Sequence, residues 1–207
     1  MKAVIFDYDG VIADSFSVVH ALNNKIMRHF GRKEYALDDF RRVSMDWKAT
    51  YRSLGMTEEQ IEESARMFYH DIALLQHEVQ VFRGMEKVLA ELHTRCRIGI
   101  VTNNLRSIIE TKLRNEKILA FIHEIVDGHE GKLKPDPTSV TMCMNKLGVR
   151  PTETCLVGDT FDDILAGRRA GVAKVIAVSY GYHSLEQLKG ADVVVHSPAE
   201  ILAALAA

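Results

Sequence analysis

Ala3-Val4-Ile5-Phe6-Asp7-Tyr8-Asp9-Gly10-Val11 is the stretch on which the reading of the fold turns. A short apolar run that stops abruptly at turn residues reads as a buried strand. Its carboxyl end carries two aspartates one residue apart. In extended chain these point to the same side, because side chains alternate with period two. Like charges that close repel, so the pair calls for a cation, a shared proton or both. Open α/β sheets bind ligands at the carboxyl ends of their strands. Taken alone, the stretch is equally a strand running into an Asp-Gly turn.

The rest of the chain repeats the pattern. Ile98-Gly99-Ile100-Val101 ends in Thr102-Asn103-Asn104, and Glu124-Ile125-Val126 ends at Asp127. Thr154-Cys155-Leu156-Val157 ends in Gly158-Asp159-Thr160, and Val175-Ile176-Ala177-Val178 and Val193-Val194-Val195 follow. Helical spacing separates these runs: Met85, Val88, Leu89 and Leu92; Leu105 to Leu113; Val140, Cys143, Met144 and Leu147; and Pro198 to Leu205. Short apolar strands alternating with helices predict a doubly wound, parallel, Rossmann-like α/β sheet with polar chemistry along one edge.

Between roughly 14 and 81 the chain is helical in character, with no convincing strand. Asp14-Ser15 suits the cap of a helix through Val18, Leu22 and Ile26. Leu37, Phe40 and Val43 suggest a second helix, and Trp47, Tyr51 and Leu54 a third. Thr57 with Gln60 reads as a capping box opening a long helix through Ile61, Phe68 and Leu75. The expected division is a core of 1–13 and 82–207 with an all-helical insertion at 14–81.

At 207 residues, 47% hydrophobic, 26% charged and formal net charge -2, the composition is that of an ordinary globular protein. No basic excess points to nucleic acid and no apolar run is long enough for a bilayer, so neither partner is expected. Met1-Lys2 leads directly into a strand, unlike a secretory signal. Cys96, Cys143 and Cys155 are odd in number and far apart, reading as reduced core residues of a cytoplasmic protein.

Asp7-Tyr8-Asp9-Gly10-Val11, Thr102-Asn103, Lys134-Pro135-Asp136-Pro137 and Gly158-Asp159-Thr160-Phe161-Asp162-Asp163 occur in that order. Together they resemble the four motifs of the haloacid dehalogenase superfamily, over nearly the whole chain. The subgroup it is most similar to is that of phosphoglycolate phosphatase-like proteins. Ser179-Tyr180-Gly181-Tyr182 and Ala191-Asp192 to Glu200 add looser support. The resemblance implies a Mg²⁺-dependent phosphatase working through an aspartyl-phosphate on a small phosphorylated metabolite, as monomer or homodimer. The helical insertion would then be a cap over the site, hinged at 10–15 and 79–84.

The chemistry asks for the same residues. Asp7 would be the nucleophile and Asp9 the group that protonates the leaving oxygen and then deprotonates water. Mg²⁺ takes few protein oxygens in an octahedral shell. As in similar proteins, Asp7, the Asp9 carbonyl and Asp159 would supply them, with Asp163 a direct ligand or a hydrogen-bonding support. Thr102 and Lys134 would contact phosphoryl oxygens, with Asn103 beside them. For Thr102 a helix cap is the competing role; for Lys134 the competitor is Lys132, which lacks the Pro-x-Pro that follows.

Arg41, Arg42 or Lys48 could bind a substrate carboxylate or second phosphate, against ordinary surface charge. Trp47 reads as cap core. Phe82-Arg83-Gly84 lacks a proline often found there in similar proteins, and Gly131-Lys132-Leu133-Lys134 is longer than their usual Gly-Lys-Pro. Alternatives are a phosphosugar mutase of β-phosphoglucomutase type, an inorganic pyrophosphatase and, from another class, a non-enzymatic phosphoacceptor domain. The mutase would need a sugar-reading loop, and Met45 stands where a basic residue is expected for it. A dehalogenase would not need the acid that Asp9 supplies.

Overall fold

The computed structural model describes residues 1–43 and 46–206. Ser44 and Met45, and with them the reading of Met45 against a mutase, lie outside the described residues.

Strand β1 (Ala3–Phe6) is buried on both faces, as a central parallel strand covered by two layers must be. It pairs in parallel with β4 (Arg97–Thr102) on one side and β6 (Thr154–Gly158) on the other. β5 (Glu124–Asp127) lies outside β4, while β7 (Lys174–Val178) and β8 (Val193–Val195) continue beyond β6. The result is a six-stranded parallel sheet in the order β5-β4-β1-β6-β7-β8. Strand order reverses around β1, which makes its carboxyl end the topological switch point.

The alternation along β1 sorts two cores. Val4 and Phe6 face one layer with Val157, Ile176 and the helices α5 (Met85–His93) and α9 (Pro198–Ala206). Ala3 and Ile5 face the other with Leu156, Val175 and the helices α7 (Thr138–Leu147) and α8 (Phe161–Ala170). Helix α6 (Arg106–Asn115) joins the first layer through Ile109 and Leu113. The cysteines are free thiols. Among the described residues, no helix is long and apolar enough to cross a membrane.

The insertion contains α1 (Phe16–His29), a single turn α2 (Leu37–Phe40), α3 (Trp47–Ser53) and α4 (Glu58–Leu74). The Thr57–Gln60 capping box forms in both directions. At its two ends a strand pair departs from the all-helical expectation. Ala13–Asp14 (β2) and Gln80–Val81 (β3) pair antiparallel and draw both connectors together. Two residues per strand are too few to leave a periodic signal. A second departure is at Ser15, which occupies the N-cap position of α1 but makes no side-chain capping bond.

Candidate active site

Asp7 follows the last residue of β1 and sits between β4 and β6, where neighbouring strand ends converge. Its Oδ1 accepts the amide of Tyr8 at 2.6 Å and lies 2.8 Å from Lys134 Nζ. Lys134 is buried; its ammonium also lies 2.7 Å from Asp163 Oδ1 and donates to the Val101 carbonyl at 3.1 Å. Its amide is held by Asn103 Oδ1 at 2.9 Å. Lys132 instead is exposed and faces Asp136 at 3.5 Å.

Asp9 reaches the same site by a tight turn. Tyr8 O accepts the amides of Ile12 and Ala13, both at 2.9 Å, with Gly10 at φ +80°. A Cβ on Gly10 would fall 2.0 Å from Asp159 Oδ2, so only glycine allows the turn to lie against that carboxylate. Asp9 Oδ1 accepts the Ser15 hydroxyl at 2.6 Å and Oδ2 the Asn104 amide nitrogen at 3.2 Å.

Asp159 follows β6. Its Oδ2 accepts the amide of Tyr182 at 2.6 Å, whereas the buried Oδ1 has no hydrogen-bond partner among the described residues. Asp163 folds back from the first turn of α8: Oδ2 accepts the amides of Asp159 and Thr160 at 3.2 and 3.0 Å and the Thr160 hydroxyl at 2.5 Å. Among the described residues its Oδ1 has only the ion pair with Lys134, without an aligned hydrogen bond. Thr160 in return caps α8 through the Asp163 amide.

Burial raises the pKa of Asp7, Asp163 and Asp9 add to that, and Lys134 opposes it. Burial likewise raises Asp159, reinforced by the charges of Asp163 and Asp7. For Lys134, burial works against the ammonium but Asp163 and Asp7 outweigh it. Asp9 is raised by burial, against the lowering by Ser15 and Asn104. One ammonium therefore serves several buried carboxylates. Oxygens of Asp7, Asp159 and Asp163 lie within 4.8 Å of one another. Hard oxygen donors, excess negative charge and the orphaned Asp159 Oδ1 fit a divalent cation of the Mg²⁺ type.

Of the residues singled out from sequence, Asp7, Asp9, Asn103 and Lys134 border a shared cavity, with Asp159 and Asp163 clustered beside Asp7. Thr102 is 1% exposed and its hydroxyl oxygen accepts the Asn104 amide at 3.0 Å, closing the turn after β4. Arg42 and Lys48 are not brought to the site. Arg42 is exposed near Asp39 at 3.8 Å, and the exposed Lys48 stands 5.5 Å from the Trp47 ring. The turn that follows α2 and the first turn of α3 leave both side chains in solvent, where a charged head keeps its hydration. Arg41 is committed internally: Nη1 donates to the carbonyls of Gly181 and Tyr182 at 3.0 and 2.8 Å, and its guanidinium lies 4.1 Å from the Phe16 ring.

Three contributors were not singled out from sequence. In sequence Ser15 suits a helix cap, Tyr182 belongs only to a loose subgroup pattern, and Asn104 is a strand-end residue. Tyr182 Oη meets Ser15 Oγ at 2.9 Å, so one loop touches both Asp159 and the partner of Asp9.

Helices on both faces of the sheet, a carboxylate at the switch point and a buried lysine beside it place a candidate catalytic site of a doubly wound α/β protein at the strand ends. A sequence model of the haloacid dehalogenase-like hydrolase family matches residues 4–178, and the chain belongs to that family. It is an enzyme of phosphatase type. Phosphoglycolate phosphatase 1 of Pseudomonas aeruginosa is 25% identical over 193 residues, covering 88% of this chain and 71% of that protein. Pyrophosphatase PpaX of Bacillus velezensis is 27% identical over 179 residues, covering 83% and 80%. Among solved structures, a hydrolase from Pseudomonas syringae superposes with TM-score 0.89 at 24% identity, covering 100% of this chain and 98% of that one.

Proposed function

We propose that this enzyme is a Mg²⁺-dependent phosphatase that hydrolyses a small phosphomonoester through an aspartyl-phosphate on Asp7. The observation that carries this reading is the buried Asp7–Lys134–Asp163 chain of contacts, with Asp9 held separately by Ser15 and Asn104. The two aspartates of the opening motif thereby have different surroundings, which is what two different roles require.

Lys134 and the Tyr8 amide bind one Asp7 oxygen, which leaves Oδ2 to attack phosphorus. As the new O–P bond forms, the bond to the leaving oxygen breaks. Asp9, whose burial favours the protonated form, donates its proton to that oxygen. In the second half-reaction Asp9 accepts a proton from water, whose oxygen attacks the phosphorus and returns Asp7 and inorganic phosphate. Lys134, Thr102 and the Asn103 region would hold the phosphoryl oxygens as charge builds on them. Asp7, Asp159 and the Asp9 carbonyl would hold Mg²⁺, which neutralises the transferring group when bound. Asp163, with one oxygen spent on the 159–160 loop and the other on Lys134, supports that set. The insertion would act as the cap that excludes water and meets the leaving group.

Phosphate release from p-nitrophenyl phosphate with and without Mg²⁺ tests the reading. Asp7→Asn should abolish turnover with circular dichroism unchanged; retained turnover would remove Asp7 as nucleophile.

A further inference from the structure

The cavity that opens on Asp7 and Asp9 continues between the sheet edge and the helical insertion. Its far wall is Ile26, Phe40, Trp47, Tyr51, Phe68 and Tyr69. The amide and the serine hydroxyl set in that wall are tied to the protein itself. Asn23 donates to the Val19 carbonyl at 2.8 Å and accepts the Tyr51 hydroxyl at 2.8 Å, and Ser64 donates to the Gln60 carbonyl at 2.8 Å. Among the described residues lining the cavity, the one basic side chain is Lys134, at the reacting end. Ser44 and Met45 carry no positive charge by their chemistry.

The cations around this wall are engaged elsewhere. Arg41 is bound to the carbonyls of Gly181 and Tyr182, and Lys25 to Asp71 at 2.6 Å. His20 Nε2 is bonded to the Tyr35 carbonyl at 2.8 Å, and Arg42 and Lys48 are exposed. A carboxylate or second phosphate on the leaving group would have to shed its water against aromatic rings, with no counter-ion among the described residues of that wall. An unpaired buried charge is strongly disfavoured, whereas an arene or branched alkyl group gains by the same burial.

We infer that the preferred substrate is a phosphomonoester whose alcohol half is uncharged and mainly apolar, of the size of an aromatic ring. This rests on the phosphatase reading and narrows it, away from small phosphorylated hydroxy acids and diphosphates. A ring there would meet Phe68, Tyr69 and Trp47, while the phosphoryl group stays with Lys134 and the aspartates.

The test compares kcat/KM of the Mg²⁺-loaded full chain for benzyl phosphate, phosphoglycolate and pyrophosphate. The first two are alkyl esters, so leaving-group reactivity does not decide their ratio. Benzyl phosphate should be preferred over either anionic substrate by about 100-fold, the scale set by an unpaired buried charge. Benzylphosphonate should correspondingly inhibit better than phosphonoacetate. Ala65→Lys, which sets a flexible ammonium in the α4 wall, should move the ratio toward phosphoglycolate; the wild-type substrate and inhibitor comparisons stand independently of that variant's folding. Equal or better turnover of phosphoglycolate or pyrophosphate by the wild-type enzyme would overturn the inference and leave the phosphatase reading intact. Absence of turnover for all three and for p-nitrophenyl phosphate would overturn the reading on which it rests.

Discussion

Ser15 Oγ donates to Asp9 Oδ1 at 2.6 Å and meets Tyr182 Oη at 2.9 Å. The residue at the N-cap position of α1 thus serves the site and leaves its own helix uncapped. The consequence is a link between Asp9 and the loop whose Tyr182 amide holds Asp159.

Removing that link should misorient the proton donor without unmaking the helix. Ser15→Ala is expected to lower kcat about tenfold, a modest share of what a positioned acid contributes, with KM nearly unchanged. Thermal stability should fall by about 1–2 kcal/mol, from the largely buried Asp9 and Tyr182 oxygens left without this partner and not from a lost cap. Steady-state kinetics beside a melting curve separate the two effects; an unchanged kcat, whatever the Tm, would refute the positioning role.

Asp159 tests the cation site without any activity measurement. Its buried carboxylate has like-charged neighbours in Asp7 and Asp163. Asp159→Asn removes one of these charges while its side-chain oxygen can still accept the Tyr182 amide. In metal-free buffer the variant should melt higher than wild type. Mg²⁺ should raise the Tm of wild type, by about 2–4 °C per kcal/mol of binding linkage, and move the variant little. Equal Mg²⁺ responses would count against Asp159 as a ligand.

Arg41 fastens the insertion to the core by two contacts to the Gly181 and Tyr182 carbonyls, while its guanidinium lies over the ring of Phe16 in the insertion itself. Arg41→Ala should loosen that closure and destabilise the chain by about 1–2 kcal/mol. KM should rise several-fold. Arg41→Lys should restore little, because an ammonium lacks the planar fork that spans carbonyls and ring together. Urea unfolding and substrate titration measure both; full rescue by lysine would indicate a role of charge alone.

Asp127, at the end of β5, accepts the amides of Arg106, His129 and Glu130 at 2.9, 2.9 and 2.8 Å. Burial raises its pKa, but these amides outweigh that and the net result lies below the usual carboxylate value. A depressed folded pKa contributes stability that is present above the unfolded value, about 3.9, and lost as pH falls through the folded one. Asp127→Ala should therefore cost about 2 kcal/mol at pH 7, from the amides left without an acceptor. The gap to wild type should narrow in acid. Chemical denaturation across pH 2–7 measures it; a gap independent of pH would assign the effect to packing.

Much of this was legible in the chain itself. A strand such as Ala3–Phe6, apolar on both faces, can lie only in the middle of a covered parallel sheet. Parallel strands all end at one edge, so Asp7, Thr102 and Asp159 had to come to neighbouring positions wherever the helices went. Sequence spacing also marked Thr57–Gln60 as a reciprocal cap, because that motif is closed within four residues.

What spacing does not carry is the meeting of distant groups. Arg41, Arg42 and Lys48 are alike in sequence, yet the fold holds the first on two carbonyls and leaves the others in water. Ser15 and Tyr182 lie 167 residues apart and meet over Asp9. The uncharged cavity wall likewise exists only once α1, α3 and α4 have packed against the sheet edge. Periodicity determines which way a side chain faces along its own element. Which partner it finds is decided by the register and packing between elements, and here that decision separates the shared phosphoryl chemistry from the particular group it is built to release.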